Sequence, residues 1–174
     1  VVWSPDDPFS VGADLQALMP VFMSGGAKAI GAEEKKMQDA FMRLKYAQVP
    51  TVAAVSGMAL GGGCELILHC SKAVASLESY IGLVEAGVGL IPGAGGLKEG
   101  ALRGAQAAQA AGMADVFPFI KNWFLNAAMA NVSKSALEAR QMGYLRGTDT
   151  IVFNNYELLW TAIGQAYALH ATGY

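Results

Sequence analysis

Two isolated glutamates in glycine-rich, apolar sequence are the residues most capable of chemistry in this chain. Glu65 stands in ALGGGCELILHC (59–70), directly after three glycines, and Glu85 stands in GLVEAGVG (82–89). Neither stretch contains a lysine or arginine that could pair with its carboxylate. Two carboxyl groups in different environments can divide the roles of acid and base at one pH. The pair is therefore a candidate acid–base site.

The glycines before Glu65 indicate where a ligand could lie. A loop without Cβ atoms lets a ligand approach the backbone. A helix that begins at Gly62 or Gly63 presents unpaired N–H groups and the positive end of its dipole, which suits an oxyanion and favours ionised Glu65. Glu85 has apolar neighbours, and burial without a partner is expected to raise its pKa. The same pattern is also explained without catalysis, if the helix dipole alone favours Glu65 in the first turn and if Glu85 is a solvated loop residue.

Other site chemistries fail on spacing. The glycines at 61–63 and 93–96 do not form G-x-G-x-x-G, and no Gly-Lys-Ser/Thr of a phosphate loop occurs. The two histidines, His69 and His170, give no serine hydrolase arrangement, since no serine lies in a G-x-S-x-G elbow. Glu65 and His69 are four residues apart and could lie on one face of a helix, but two ligands do not make a zinc site. His69 is predicted to be a packing residue.

The chain has 174 residues and a net charge of −2. Its 53% content of hydrophobic residues is enough for a core and predicts a folded protein. The absence of a basic tract argues against nucleic acid as a partner. No apolar run reaches the roughly 18 residues that span a bilayer, and no signal peptide is visible. Cys64 and Cys70 are predicted to be buried thiols in a reducing compartment, which indicates a cytoplasmic protein.

The pattern of elements indicates an α/β fold. Residues 1–31 are predicted to be loop-rich, with a short helical stretch near Leu15–Met23 that Ser24-Gly25-Gly26 breaks. Apolar periodicity and turn residues then predict helices and strands along the rest of the chain. These are a helix over 33–47, a strand over 51–55, a loop over 56–63, a helix over 63–70, a strand over 73–76, a mostly irregular segment over 80–96, and helices over 105–112, 115–130, 134–142 and 154–171. The chain is accordingly divided into an α/β core (1–103) and a helical C-terminal region (104–174).

Four stretches resemble one known family. These are SVGADL (10–15), VPTVAAVSGMALGGGCELILHC (49–70), LVEAGVGLIPGAGG (83–96) and SALEARQMGYL (135–145). Together they resemble the crotonase superfamily, within it the enoyl-CoA hydratases, and most closely the hydratase module of large 3-hydroxyacyl-CoA dehydrogenases. The resemblance implies a spiral of ββα turns with a helical C-terminal region. It also implies strands before the GAD loop, so the core is expected to be N-terminally truncated here.

The resemblance assigns roles to residues at matching positions. The N–H groups of Ala13 and Gly62 would form an oxyanion hole for a thioester oxygen. Glu65 would orient and deprotonate a water molecule, and Glu85 would supply a proton, so that water adds across a trans-2-enoyl-CoA during fatty acid β-oxidation. Hydratases of this family keep both acids.

The resemblance also implies a substrate slot and an assembly. The acyl chain is expected against residues that follow the GAD motif and in the PGAGG loop: Leu15, Leu18, Met19, Phe22 and Pro92. Met113, Phe117 and Phe119 are weaker candidates, and ordinary packing explains each residue equally well. No metal or redox cofactor is implied, and NAD only if a dehydrogenase domain lies outside this chain. A homo-oligomer, trimer or dimer, is expected.

Two alternatives remain open from the sequence. A Δ3-Δ2 enoyl-CoA isomerase would use Glu85 alone as a proton shuttle. A non-catalytic acyl-CoA-binding or assembly module would bind the thioester without turnover.

Overall fold

The computed structural model describes residues 1–174 and shows six strands and six α-helices. In chain order they are β1 (Val2–Trp3), α1 (Leu15–Lys45), β2 (Val52–Val55), β3 (Met58–Leu60), α2 (Gly62–His69), β4 (Lys72–Ser76), β5 (Tyr80–Gly82), α3 (Gly96–Ala110), α4 (Phe117–Ala128), α5 (Ala136–Gln141), β6 (Thr150–Val152) and α6 (Leu158–Ala171). Short 3₁₀ turns cover Glu85–Val88 and Asn155–Glu157.

The main sheet is parallel and has the strand order β1-β2-β4-β6. All four residues of β2 are fully buried, because the sheet is covered on both faces. The larger core cluster lies on one face, around residues such as Ile67 and Tyr144. On the other face, Leu158 and Ala162 of α6 pack against Val52 and Val74. Apolar strands without alternation are typical of such two-sided burial.

A second sheet pairs β3 with β5 in parallel, with Met58 opposite Tyr80. The prediction of an irregular chain over 56–63 and at 80–82 was wrong at these two places. Each strand has only three residues, so no alternation can accumulate to signal it. This sheet supports the functional loops, because β3 leads directly into α2 and β5 leads into the turn that carries Glu85.

Helix α1 is interrupted at Gly26, where φ is +55° and ψ is −153°. The predicted break at Ser24-Gly25-Gly26 is therefore confirmed, whereas residues 27–31, predicted to be loop-rich, are helical. Asp14 caps the helix by accepting hydrogen bonds from the N–H groups of Gln16 and Ala17. No residue of α1 is fully buried, so the helix lies on the surface of the core.

The C-terminal part is helical and returns to the sheet. The structure adds the short strand β6, which pairs with β4, and α3 begins at Gly96 rather than near residue 105. Residues 103 and 104 both lie within α3, and the division there stays a prediction about organisation. Cys64 and Cys70 are buried free thiols, as predicted. None of the helices is both long and apolar enough to cross a bilayer.

Candidate active site

A cavity of about 390 Å³ lies where α1 and the start of α2 meet two loops, the one before α1 (residues 11–13) and the one between β5 and α3 (residues 84–94). Its wall is mostly apolar and contains three acidic residues but no lysine, arginine or histidine. Four of the predicted chemical groups border it: Ala13, Gly62, Glu65 and Glu85. Concave, largely apolar cavities with a few convergent polar groups are the usual form of small-molecule sites.

Close packing explains the glycines that precede Glu65. A Cβ atom on Gly63 would overlap the Ser10 carbonyl oxygen and lie 2.8 Å from the Ser10 Cβ. Gly61 adopts φ +55°, and a Cβ there would come within 3.3 Å of Glu85 Oε1. Gly62 is only partly buried and borders the cavity. The glycine triplet therefore brings two backbone segments together and leaves the middle amide open to a ligand.

Two backbone N–H groups lie side by side at the cavity. Gly62 is the first residue of α2, so its N–H has no acceptor within the helix, and the N–H of Ala13 makes no hydrogen bond inside the protein. A Cβ atom on Gly62 would lie 4.0 Å from the Ala13 nitrogen, which shows how near the two segments are. Two unpaired donors at the positive end of a helix can receive an oxygen that carries developing negative charge.

Glu65 lies in the first turn of α2 and is only 2% exposed. Its Oε1 accepts a hydrogen bond of 2.8 Å from the N–H of Gly96 at the start of α3. Burial raises the pKa of Glu65 from its ordinary value to about 7; the Gly96 N–H opposes this and the nearby Glu85 charge adds to it. The helix dipole was expected to favour the ionised form of Glu65, but burial has the opposite and larger effect on its pKa, because loss of water outweighs the dipole.

Glu85 begins the 3₁₀ turn that follows β5 and is half-buried. Its Oε2 is buried and has no hydrogen-bond partner in the protein. Burial raises the pKa of Glu85, as predicted from its apolar neighbours. Glu65 and Glu85 border one cavity although twenty positions separate them, and a buried acceptor without a partner is suited to a ligand or a water molecule.

A buried polar network holds the helix that carries Glu65. The carbonyl of Glu65 accepts a 2.7 Å hydrogen bond from His69 Nδ1, so Nε2 can accept one from Lys98 at 3.0 Å. Glu99, 1% exposed, binds Lys45 at 2.6 Å and Lys98 at 2.9 Å. His69 is thus a satisfied packing residue, as predicted. No group of three or more His, Cys, Asp or Glu side chains converges as a metal site would.

The predicted acyl slot is partly reproduced. Leu15, Leu18 and Phe22 border the cavity, whereas Met19 and Pro92 do not. Met19 follows Leu18 by one helical residue, so it points to another side and is 50% exposed. Pro92 is buried, and its loop neighbours Ile91 and Gly93 border the cavity instead.

The weaker candidates also lie elsewhere. None of the three, Met113, Phe117 and Phe119, borders the cavity. Phe117 begins α4 and is 61% exposed.

A third acid, Glu34 of α1, also lies in the cavity wall and was not predicted from the sequence. It lies in a charged run, AEEKKMQD (32–39), that looks like an ordinary solvated helix face. The available signal was its spacing: Ile30, Glu34 and Met37 follow one helical stripe, and all three border the cavity.

Comparison with known proteins agrees with the motifs. The family model described as Enoyl-CoA hydratase/isomerase matches residues 1–115, well over half of the chain. A probable 3-hydroxyacyl-CoA dehydrogenase from Bacillus subtilis is 38% identical over the whole chain, which spans 21% of that protein. A putative fatty acid oxidation complex trifunctional enzyme from Rickettsia felis is 43% identical over 98 residues, 56% of this chain and 14% of that protein.

Solved structures share the fold. An enoyl-CoA hydratase from Polaromonas sp. JS666 superposes with a TM-score of 0.74 at 21% identity, covering 97% of this chain and 58% of that one. An enoyl-CoA hydratase from Bacillus anthracis gives 0.68 at 24% identity, covering 96% and 56%. These matches confirm the crotonase-type α/β fold predicted from the motifs. Together with the family model, they show that the chain belongs to the enoyl-CoA hydratase/isomerase family of the crotonase superfamily.

Proposed function

We propose that this chain forms the hydratase site that adds water to a trans-2-enoyl-CoA to give a 3-hydroxyacyl-CoA. The observation that carries the proposal is that Glu65 and Glu85 border the same cavity as the free N–H groups of Ala13 and Gly62. Hydration of a conjugated thioester needs these parts: a base for water, an acid for Cα, and donors for the enolate oxygen.

The proposed step balances without a further reactant. Glu65 takes a proton from water while the water oxygen bonds to Cβ. The electrons of the double bond move to the thioester oxygen, where the N–H groups of Ala13 and Gly62 stabilise the enolate. The carbonyl re-forms as Cα takes the proton of Glu85. A return of the proton from Glu65 to Glu85 through water restores the starting state.

The N–H pair supports the proposal energetically. Removing one oxyanion donor typically costs about 10²–10³ in rate. Two such donors carry the charge of the enolate, so the step as proposed uses no metal and no redox cofactor. The carboxyl groups add acid–base catalysis, which contributes typically about 10²–10⁴-fold.

The wider context is part of the proposal. The chain spans about a fifth of its Bacillus subtilis relative, whose name says dehydrogenase, and about 14% of the Rickettsia felis fatty acid oxidation enzyme. We infer that the hydratase site works in fatty acid β-oxidation within a larger 3-hydroxyacyl-CoA dehydrogenase. In that protein a separate domain would use NAD, and the assembly would be a homo-oligomer.

The test is hydration of crotonyl-CoA by the full-length protein and by Glu65→Gln and Glu85→Gln. Loss of the acid–base group is expected to lower kcat by about 10²–10⁴ in each variant. Glu78→Gln is the matched control, since Glu78 is exposed and lies away from the cavity. Near-wild-type turnover by either variant removes that residue from the mechanism. Tight binding of crotonyl-CoA without turnover by the wild-type protein supports an acyl-CoA-binding module instead.

One observation favours a second activity at the same site. Glu85 Oε2 is the buried, unpartnered acid oxygen of the cavity, as a carboxyl that moves a proton between C2 and C4 would need to be. A Δ3-Δ2 enoyl-CoA isomerase would use Glu85 and spare Glu65. Supplying a 3-enoyl-CoA and following 2-enoyl product in Glu65→Gln separates the two reactions.

A further inference from the structure

Glu34 is the one acid of the cavity that the proposed hydration step does not use. It lies in the second half of α1, between Ile30 and Met37 on the stripe that borders the cavity. The Met37 Cε is 3.5 Å from the position that a Cβ on Gly62 would take, and Glu34 precedes Met37 by about one helical turn on the same stripe. It therefore faces the space in which an acyl chain would lie.

The neighbours of Glu34 on the helix are paired with one another, and Glu34 is not. Lys35 pairs with Asp39 and Lys36 with Glu33, both on the exposed side. The carboxylate of Glu34 makes no ion pair and no hydrogen bond within the protein. It packs against the loop after Glu85, where a Cβ on Gly93 would overlap its Oε1.

The charge around the cavity has one sign. Glu34, Glu65 and Glu85 are its three ionisable residues, and no cationic side chain borders it to offset them. Two like charges repel each other, and the repulsion is several times stronger beside the protein interior than in water, because the effective dielectric constant there is lower. A carboxylate carried into this cavity by a substrate would meet that repulsion without a compensating partner.

We propose that Glu34 determines substrate specificity by charge: it admits enoyl thioesters with a neutral acyl chain and rejects those whose chain ends in a carboxylate. This inference rests on the proposed acyl-CoA site. It assigns Glu34 no part in moving protons, and it concerns the chain beyond the reacting carbons.

The test compares binding of two unreactive thioesters, butanoyl-CoA and glutaryl-CoA, by titration calorimetry with the full-length protein. They share the CoA part and the first four acyl carbons, and glutaryl-CoA carries a terminal carboxylate in addition. The wild-type protein is expected to bind butanoyl-CoA at least about tenfold more tightly. In Glu34→Gln, which keeps the shape of the side chain against Gly93, this ratio is expected to fall by about tenfold. Glu33→Gln, on the same helix and outside the cavity, is the matched control and is expected to keep the wild-type ratio.

The dependence of the affinity ratio on salt concentration is a second measurement, and a purely structural role of Glu34 would not change it. Raising the ionic strength screens charges and is expected to reduce the selectivity of the wild-type protein but not that of Glu34→Gln. An unchanged ratio in Glu34→Gln, or equal binding of both thioesters by the wild-type protein, overturns the inference. Turnover of crotonyl-CoA is measured alongside. Selectivity without turnover supports this inference and rejects the hydratase proposal, while failure to bind either thioester rejects both.

Discussion

Replacing Glu65 with glutamine is expected to lower kcat of the proposed reaction by about 10²–10⁴ and, above pH 5, to stabilise the fold. Glu65 has a pKa of about 7 in the folded protein, against an ordinary value of 4.5, chiefly because burial removes water from its charged form. The folded state therefore binds more protons than the unfolded state between these values. The stability that protonated Glu65 contributes is fully present below pH 4.5 and is lost as the pH rises through 7.

The magnitude follows from the two pKa values. Each pH unit between them corresponds to about 1.36 kcal/mol, so the wild-type protein loses about 2 kcal/mol by pH 6 and about 3 kcal/mol by pH 7. Glutamine has no charge to bury, and its Oε1 can still accept the Gly96 N–H bond that Glu65 Oε1 accepts at 2.8 Å. Glu65→Gln is thus expected to match the wild-type protein at pH 4 and to exceed its free energy of unfolding by about 3 kcal/mol at pH 7.

Urea unfolding of both proteins at pH 4, 5, 6, 7 and 8 measures this difference. Subtracting the two curves removes the contribution of every other titrating group. Glu78→Gln, at an exposed position outside the cavity, is measured in parallel as the control for the loss of a surface carboxylate. A Glu65→Gln difference that stays flat from pH 4 to pH 8 would refute the claim that burial dominates the charge state of Glu65.

Two further predictions concern the support of the site. Gly63→Ala places a Cβ against the Ser10 carbonyl, and overpacking of this kind is expected to lower the free energy of unfolding by about 1–3 kcal/mol in urea unfolding, with lower affinity for acyl-CoA. Glu99→Gln removes a buried carboxylate that pairs with Lys45 and Lys98, and because both lysines keep access to water, the variant is expected to lose about 1–2 kcal/mol of the free energy of unfolding. Lys35→Gln, on the exposed surface of α1, should change the free energy of unfolding by less than about 1 kcal/mol. An unchanged midpoint in either site variant contradicts the packing described.

The features that the sequence could predict are those with local causes. The start of α2 at Gly62 could be predicted because a glycine-rich loop is followed there by apolar residues at helical spacing. The strand near 51–55 could be predicted because a short, mostly apolar run lies between Pro50 and Ser56. The break at Gly26 has a similar local origin. Each of these signals lies within a few residues of the feature that it predicts.

The features that escaped prediction depend on contacts between distant segments. The pairing of β3 with β5 joins Met58 to Tyr80, and its three-residue strands have no pattern of their own. The helical stripe that carries Glu34 can be recognised in the sequence, but its position at the cavity depends on the packing of the loop around Gly93 against α1. The acidity of Glu65 was misjudged for the same reason: the dipole can be read from α2, but the burial that outweighs it comes from other elements.

The two catalytic candidates differ in a way that the helix dipole alone does not explain. Burial raises the pKa of both, but Glu65 keeps one oxygen on the Gly96 N–H, while Glu85 Oε2 has no partner. A general base works best when its pKa lies near the working pH, because it must be ionised before the step and must hold the proton afterwards. A pKa of about 7 gives Glu65 both properties, whereas an ordinary value of 4.5 would leave it ionised but a weak acceptor. In the proposed mechanism, the burial that destabilises ionised Glu65 also brings its pKa near the working pH of a general base, so a variant stabilised by removing that carboxyl is expected to lose the proposed chemistry.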